Sequence, residues 1–119
     1  MFKKFEIPDE IVKESLKILE TSSKTGKIRK GTNEVTKAIE RKTAFLVYIA
    51  EDVSPPEIVM HLPLLCEEHK ISYTFVPTKD ELGKATGLKV GSASIAIVDA
   101  GEAKQSIKGL NNKLAELKK

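Results

Sequence analysis

The chain has 119 residues, of which 40% are hydrophobic and 31% charged, with a formal net charge of +3 and a pI of about 8.9. That length suits a single domain with a core of its own, needing no disulfide or metal staple, and no apolar run approaches the roughly 20 residues of a membrane span. The lone cysteine, Cys66, rules out an internal disulfide, and Met1-Phe2-Lys3-Lys4-Phe5-Glu6 lacks the apolar region of a signal peptide, so a cytoplasmic protein in a reducing compartment is expected.

The first predicted element is an amphipathic helix. Pro8 suits a first helical position, Asp9 and Glu10 follow in the first turn, and Ile11, Val12, Leu16, Ile18 and Leu19 form an apolar stripe ending near Ser23. After a turn at Thr25-Gly26, Lys27-Ile28-Arg29-Lys30 reads as a short strand with Ile28 inward. Gly31 then opens a second helix. A glycine there permits close approach of backbone to a ligand, and the unpaired N–H groups of the following turn favour anions. At roughly 100° per residue, Asn33, Glu34, Lys37 and Arg41 share one side of that helix, and Val35, Ala38 and Ile39 point the opposite way. The polar side sets an amide, a carboxylate and an ammonium at i, i+1 and i+4, a mixed donor and acceptor array able to read hydrogen-bonding edges.

Charge gathers around this helix. Between Lys24 and Lys42, seven basic residues (Lys24, Lys27, Arg29, Lys30, Lys37, Arg41, Lys42) stand against Glu34 and Glu40, a net charge of +5 that leaves −2 on the rest of the chain. A positive segment on a mildly acidic body is the pattern of a face that meets phosphates, although a solvated lysine-rich surface has the same composition.

Further along, Thr43-Ala44-Phe45-Leu46-Val47-Tyr48-Ile49-Ala50 is an almost continuous apolar run, too short to favour a helix, and reads as a central strand. Glu51, Asp52 and Ser54 follow at its carboxyl end, before Pro55-Pro56, a position where α/β proteins often place binding groups. Residues 57 to 70 are helical in pattern, with a break expected near Leu62 because Pro63 removes a hydrogen bond. Ser72–Val76 is a further strand. Thr78-Lys79-Asp80-Glu81 has capping-box spacing for a short helix stopped by Gly87. The loop Leu88-Lys89-Val90-Gly91 carries two apolar residues that either stay exposed or fold back into the core. A last strand is expected at Ser94–Val98, and a last helix carries Ala103, Ile107, Leu110, Leu114 and Leu117. The order predicts a single-domain, three-layer α/β/α sandwich around a mixed four-stranded sheet.

Catalytic chemistry finds no motif. Cys66 lies at helical spacing from Leu62 and Leu65 and reads as a small buried hydrophobe. His61 and His69 with that one cysteine do not make a metal-ligand pattern, so neither metal nor cofactor is expected. Gly26-Lys27 and Gly83-Lys84 lack the upstream glycine of a phosphate-binding loop. Phe45, Tyr48, Tyr73 and Phe75 all fall in predicted strands without an aromatic-rich motif, so stacking of bases on Phe or Tyr is not expected.

Lys30-Gly31-Thr32-Asn33-Glu34-Val35-Thr36-Lys37, then Asp52 through His61-Leu62-Pro63-Leu64-Leu65-Cys66-Glu67-Glu68, then Leu82-Gly83 to Gly87, resemble the family of the archaeal large-subunit ribosomal protein "L-seven-Ae" and its eukaryotic small nuclear and nucleolar relatives. The resemblance covers essentially the whole chain. It implies an α/β/α sandwich that binds kink-turn and kink-loop RNA in the ribosome, in box C/D and H/ACA guide ribonucleoproteins and in ribonuclease P. By motif it implies that Asn33, Glu34 and Lys37 contact tandem sheared G·A pairs, with Gly31 and Thr32 giving backbone approach. Lys27, Lys30, Arg41 and Lys79 are implied on phosphates, and Leu88, Lys89 and Val90 on a nucleotide flipped from the bulge, with Ser54 and Ile58 nearby. Some relatives carry arginine where Val90 stands and proline where Gly91 stands, so the loop's nucleotide preference would be tuned differently here.

The expected function is thus a non-catalytic RNA-binding ribosomal protein, monomeric when free, that stabilises kinked RNA and primes assembly of further ribonucleoprotein proteins. A protein–protein adaptor with the basic segment incidental is the alternative from another class, and an enzyme acting on nucleotides is a third.

Overall fold

The structure, a computed structural model, describes residues 7–54 and 57–117, without the side chains of residues 57 and 58. Among the described residues five α-helices alternate with four strands: α1 (Asp9–Thr25), β1 (Lys27–Lys30), α2 (Thr32–Glu40), β2 (Leu46–Ala50), α3 (Glu57–Glu68), β3 (Ser72–Val76), α4 (Lys79–Ala85), β4 (Ser94–Asp99) and, after a short 3-10 turn at Gly101–Ala103, α5 (Lys104–Leu117). The strands lie in the order β1-β4-β2-β3. β1 and β2 each run antiparallel to β4, while β2 and β3 run parallel, so the sheet is mixed.

The two central strands are apolar on both faces because both faces are covered. The Tyr48 hydroxyl donates to the Ser15 carbonyl of α1, placing α1 over the side of β2 that carries Tyr48. Val47 and its β3 partner Tyr73 point the other way, and the Tyr73 hydroxyl donates to Glu67 of α3. With α4 and α5 packed beside α1, and α2 beside α3, the helices form two layers on the sheet. Tyr48, Tyr73, Phe75, Leu46, Ile49, Ile95 and Ile97 are fully buried between them.

α1 begins after Pro8, whose carbonyl accepts from the N–H groups of Ile11 and Val12, and runs two residues beyond its expected end. Ile11 and Leu16 of its expected stripe are only half-buried, whereas Ser15 and Ser22 are buried. Small hydroxyls let the helix approach the sheet, and each is satisfied, Ser15 by the Ile11 carbonyl and Ser22 by the Ala100 carbonyl. α1 and α5 lie antiparallel, joined by Glu14–Lys113 (2.8 Å) near one end and by the Glu102 N–H to the Thr25 hydroxyl (3.0 Å) at the other.

Two expected boundaries are corrected. α3 does not break at Leu62 but continues through Pro63. The lost hydrogen bond and ring clash cost about 3 kcal/mol, and burial of Val59, Leu62 and Cys66 at about 1.5–3 kcal/mol for a large side chain outweighs it. β2 starts at Leu46 rather than Thr43, and Phe45 stands before it with 52% of its surface exposed.

Candidate nucleic-acid interface

The site is built where several strands end together. β1 and β4 are antiparallel, so the carboxyl end of β1 meets the start of β4: the Gly31 N–H donates to the Ser94 carbonyl (3.1 Å), and the Thr32 and Ser94 hydroxyls face each other at 3.5 Å. β2 and β3 bring their carboxyl ends to the same edge. There the Ala50 N–H donates to Ala93 and the Glu51 N–H to Val76. Asp52 accepts from the Lys79 N–H (2.8 Å), so the loop after β2 caps the start of α4. Gly31 to Asn33, Ser54, Lys79 and the Leu88–Val90 loop are thereby collected at one end of the sheet.

Gly31 caps α2 with φ 91°, a conformation other residues adopt only with strain, and a side chain there would project into open space. Its carbonyl accepts from Val35, which starts the helix. Val35, Ala38 and Ile39 are buried, while Asn33, Glu34, Lys37 and Arg41 are exposed, as the 3.6-residue period predicts. Glu34 and Lys37 pair at 3.6 Å with about half of each side chain exposed. Such a pair is worth at most about 1 kcal/mol, so both groups can be redirected to a ligand. On the other side of α2, the Thr36 hydroxyl donates to the Thr32 carbonyl and faces His61 Nε2 of α3 at 3.0 Å.

Arg29 of β1 is a member of this surface absent from the expected set. It lines, with Glu34, Lys37, Arg41, Thr43 and Val98, a cleft of about 280 Å³ between the β1 edge and α2. Among the described residues no carboxylate pairs with Arg29 or Arg41. Strand alternation could have found Arg29: it points opposite to the inward Ile28 and so does not enter the core. Lys27 instead occupies the far end of β1, opposite Asp99, and Lys30 the near end, opposite Ile95.

The apolar loop is held in place from beneath. Thr78 caps α4 by accepting from the Glu81 N–H, and at the other end Leu88 N–H to Gly83 O and Gly87 N–H to Lys84 O make a Schellman closure, with Gly87 at φ 79°. Gly83 lies directly under the Val90 carbonyl, where an added Cβ would sit 2.3 Å from the oxygen. The Ser92 N–H donates to the Lys79 carbonyl. So supported, Val90 is 73% exposed and Leu88 half-buried; Val90 does not fold back into the core, and Leu88 does so only in part. Ser54 is exposed near this end, while the side chain of Ile58 and residues Pro55 and Pro56 lie outside the described residues.

Among the described residues no three His, Cys, Asp or Glu side chains converge as metal ligands. Cys66 is buried in α3.

The α/β/α sandwich thus presents an exposed polar helix face and a propped apolar loop, from separate segments of the chain, at one end of its sheet. Residues 13–107 match the Ribosomal protein L7Ae/L30e/S12e/Gadd45 family, and the chain belongs to that family. It is also similar to a solved structure, a Giardia lamblia 15.5kD RNA binding protein, with 31% sequence identity and a TM-score of 0.86 over 95% of this chain and 93% of the other.

Proposed function

We propose that the protein binds kink-turn and kink-loop RNA as a non-catalytic ribosomal protein of the "L-seven-Ae" type, archaeal in its affinities. The observation that carries this reading is the meeting, at one end of the sheet, of the Asn33, Glu34 and Lys37 side of α2 with the exposed Leu88–Val90 loop. Regular A-form RNA hides its purine edges in a deep, narrow groove. A kink with tandem sheared G·A pairs opens them. Glu34 then accepts from guanine amino and imino groups, while Asn33 and Lys37 meet acceptors. Gly31, without a Cβ, and Thr32 let the strand approach the backbone. Lys30, Arg41 and Lys79, with Lys27 further out, neutralise phosphates and set position rather than sequence. Leu88, Lys89 and Val90 hold the base flipped from the bulge, and Ser54 and Ile58 flank it.

Affinity for the kinked form over the open one shifts the RNA population towards the bend, and the bend positions other proteins. The RNAs that hold such kinks include ribosomal RNA, box C/D and H/ACA guide RNA and ribonuclease P RNA. The partners are then further core proteins of those particles, met in the cytoplasm by a monomer. A gel shift with a kink-turn RNA, against the same RNA with its G·A pairs made Watson–Crick, tests the reading. Strong preference for the kink-turn is expected; equal or absent binding to both would sink it and favour a protein–protein adaptor.

A further inference from the structure

Phe45 is exposed and takes no part in the surface formed by α2 and the Leu88–Val90 loop. It sits between α2 and β2 with its backbone fixed on both sides: its N–H donates to the Ile97 carbonyl (2.7 Å) and its carbonyl accepts from Asn111 Nδ2 of α5 (3.4 Å). The ring is nonetheless 52% exposed. It forms one wall of a groove of about 370 Å³ whose other wall is the start of α5, with Ile107 contributing apolar surface, Gln105 and Asn111 amides, and Lys104 and Lys108 cations. Among the described residues no carboxylate lines it. Asn111 spends one amide N–H on the Phe45 carbonyl, and its Oδ1 is closed off from solvent.

We propose that this groove is a second nucleic-acid contact that takes one unpaired nucleotide. The base lies against the Phe45 ring, and the phosphate lies between Lys104 and Lys108. An acidic peptide with an apolar side chain would use the ring and the lysines. A nucleotide joins a flat stacking face to a phosphate, and the basic surface on α2 leads a nucleic-acid strand to the groove. The groove also adjoins the basic cleft on α2: Thr43 and Val98 line the cleft, and Phe45 and Ala100, each two residues further on, line the groove. A strand leaving α2 past Arg29 and Arg41 meets Phe45 next. An unpaired nucleotide needs no kink, so this contact is independent of the kink-turn reading.

The test is a titration of the full 119-residue protein, ¹⁵N-labelled, with hexa-adenylate, which has no G·A pairs and cannot kink. Amide shifts are expected at Phe45, Lys104, Lys108 and Asn111. Phe45→Ala should weaken hexa-adenylate binding at least about fivefold, Phe45→Trp should restore it, and Lys104→Glu with Lys108→Glu should abolish it. The amide spectrum of Phe45→Ala establishes that the ring, being exposed, is lost without loss of fold. Shifts confined to α2 and the Leu88–Val90 loop, or equal affinity of Phe45→Ala and the parent protein, would overturn the proposal. So would groove shifts with an Asp- and Glu-rich peptide carrying one phenylalanine but none with hexa-adenylate, which would make the groove a protein-docking site. Groove shifts with hexa-adenylate alongside a failed kink-turn gel shift would sink the kink-turn reading alone.

Discussion

In the free protein Glu34 and Lys37 direct their charges at each other. Their mutual ion pair is half-exposed and weak, so truncating either should change unfolding stability by less than about 1 kcal/mol. If they read base edges, Glu34→Ala and Lys37→Ala should each cost about 1–3 kcal/mol in kink-turn binding, measured by gel shift alongside thermal unfolding. A large stability loss with unchanged binding would reverse the assignment. Two tyrosines carry a different kind of information. Burial pushes the Tyr48 hydroxyl up from its ordinary pKa, and burial together with the Glu67 carboxylate does the same to Tyr73. Unfolded tyrosine ionises near pH 10. Below that both states are protonated and the contribution to stability is complete; above it the unfolded chain sheds protons that the folded chain keeps. Stability should therefore fall as pH rises past about 10, by up to about 1.4 kcal/mol per pH unit for each tyrosine. Urea unfolding between pH 8 and 11 should show this fall, and Tyr73→Phe should show a shallower one.

Among the elements, the apolar loop depends most on a neighbour. Gly83 belongs to α4, yet its missing side chain is what allows the Val90 carbonyl to rest on the helix. Gly83→Ala should lift Leu88–Val90 and weaken kink-turn binding about tenfold or more, with amide spectra showing that the sheet is retained. Equal affinity in a folded variant would remove the loop from the interface. The elements also show where sequence reasoning reaches. β1 and β3 were legible to the residue, β1 because Gly26 and Gly31 bound it, and the two-sided chemistry of α2 came from its period alone. The exposed end of the β2 run was not legible. Thr43-Ala44-Phe45 runs into Leu46 to Ala50 with no turn residue between them, and only pairing with β4 decides where the ladder starts. The same ambiguity hid Phe45, whose aromatic ring looks like core in sequence and stands in solvent. Pro63 misled in the opposite sense: a local cost was visible, while the burial that offsets it depends on partners far along the chain.

For the whole molecule, the uneven charge becomes an observable. The +5 segment from Lys24 to Lys42 runs from the last turn of α1 through β1 and α2 to the turn after it, so its positive residues lie on consecutive elements. With Lys27, Lys30, Arg41 and Lys79 on four phosphates, log affinity for kink-turn RNA should fall with log salt at a slope of about −3 to −4. Lys30→Ala or Arg41→Ala should each make that slope shallower by about one. A slope near zero would mean that the basic region does not meet the RNA backbone. The three-layer arrangement itself was legible from the alternation of elements, whereas the placement of β1 at an edge beside β4 was not, since no local signal fixes which strands pair. The antiparallel seating of α1 against α5 bears on time rather than shape. Glu14 and Lys113 are 99 residues apart in the chain, and Thr25 and Glu102 are 77 apart. Contacts that distant must close long loops before they return any energy, so α5 should dock last in folding and open first in the folded state. Hydrogen exchange should then find the α5 amides released ahead of those of β2 and β4, and the Phe45 groove, having α5 as one wall, would exist only once that final step is complete.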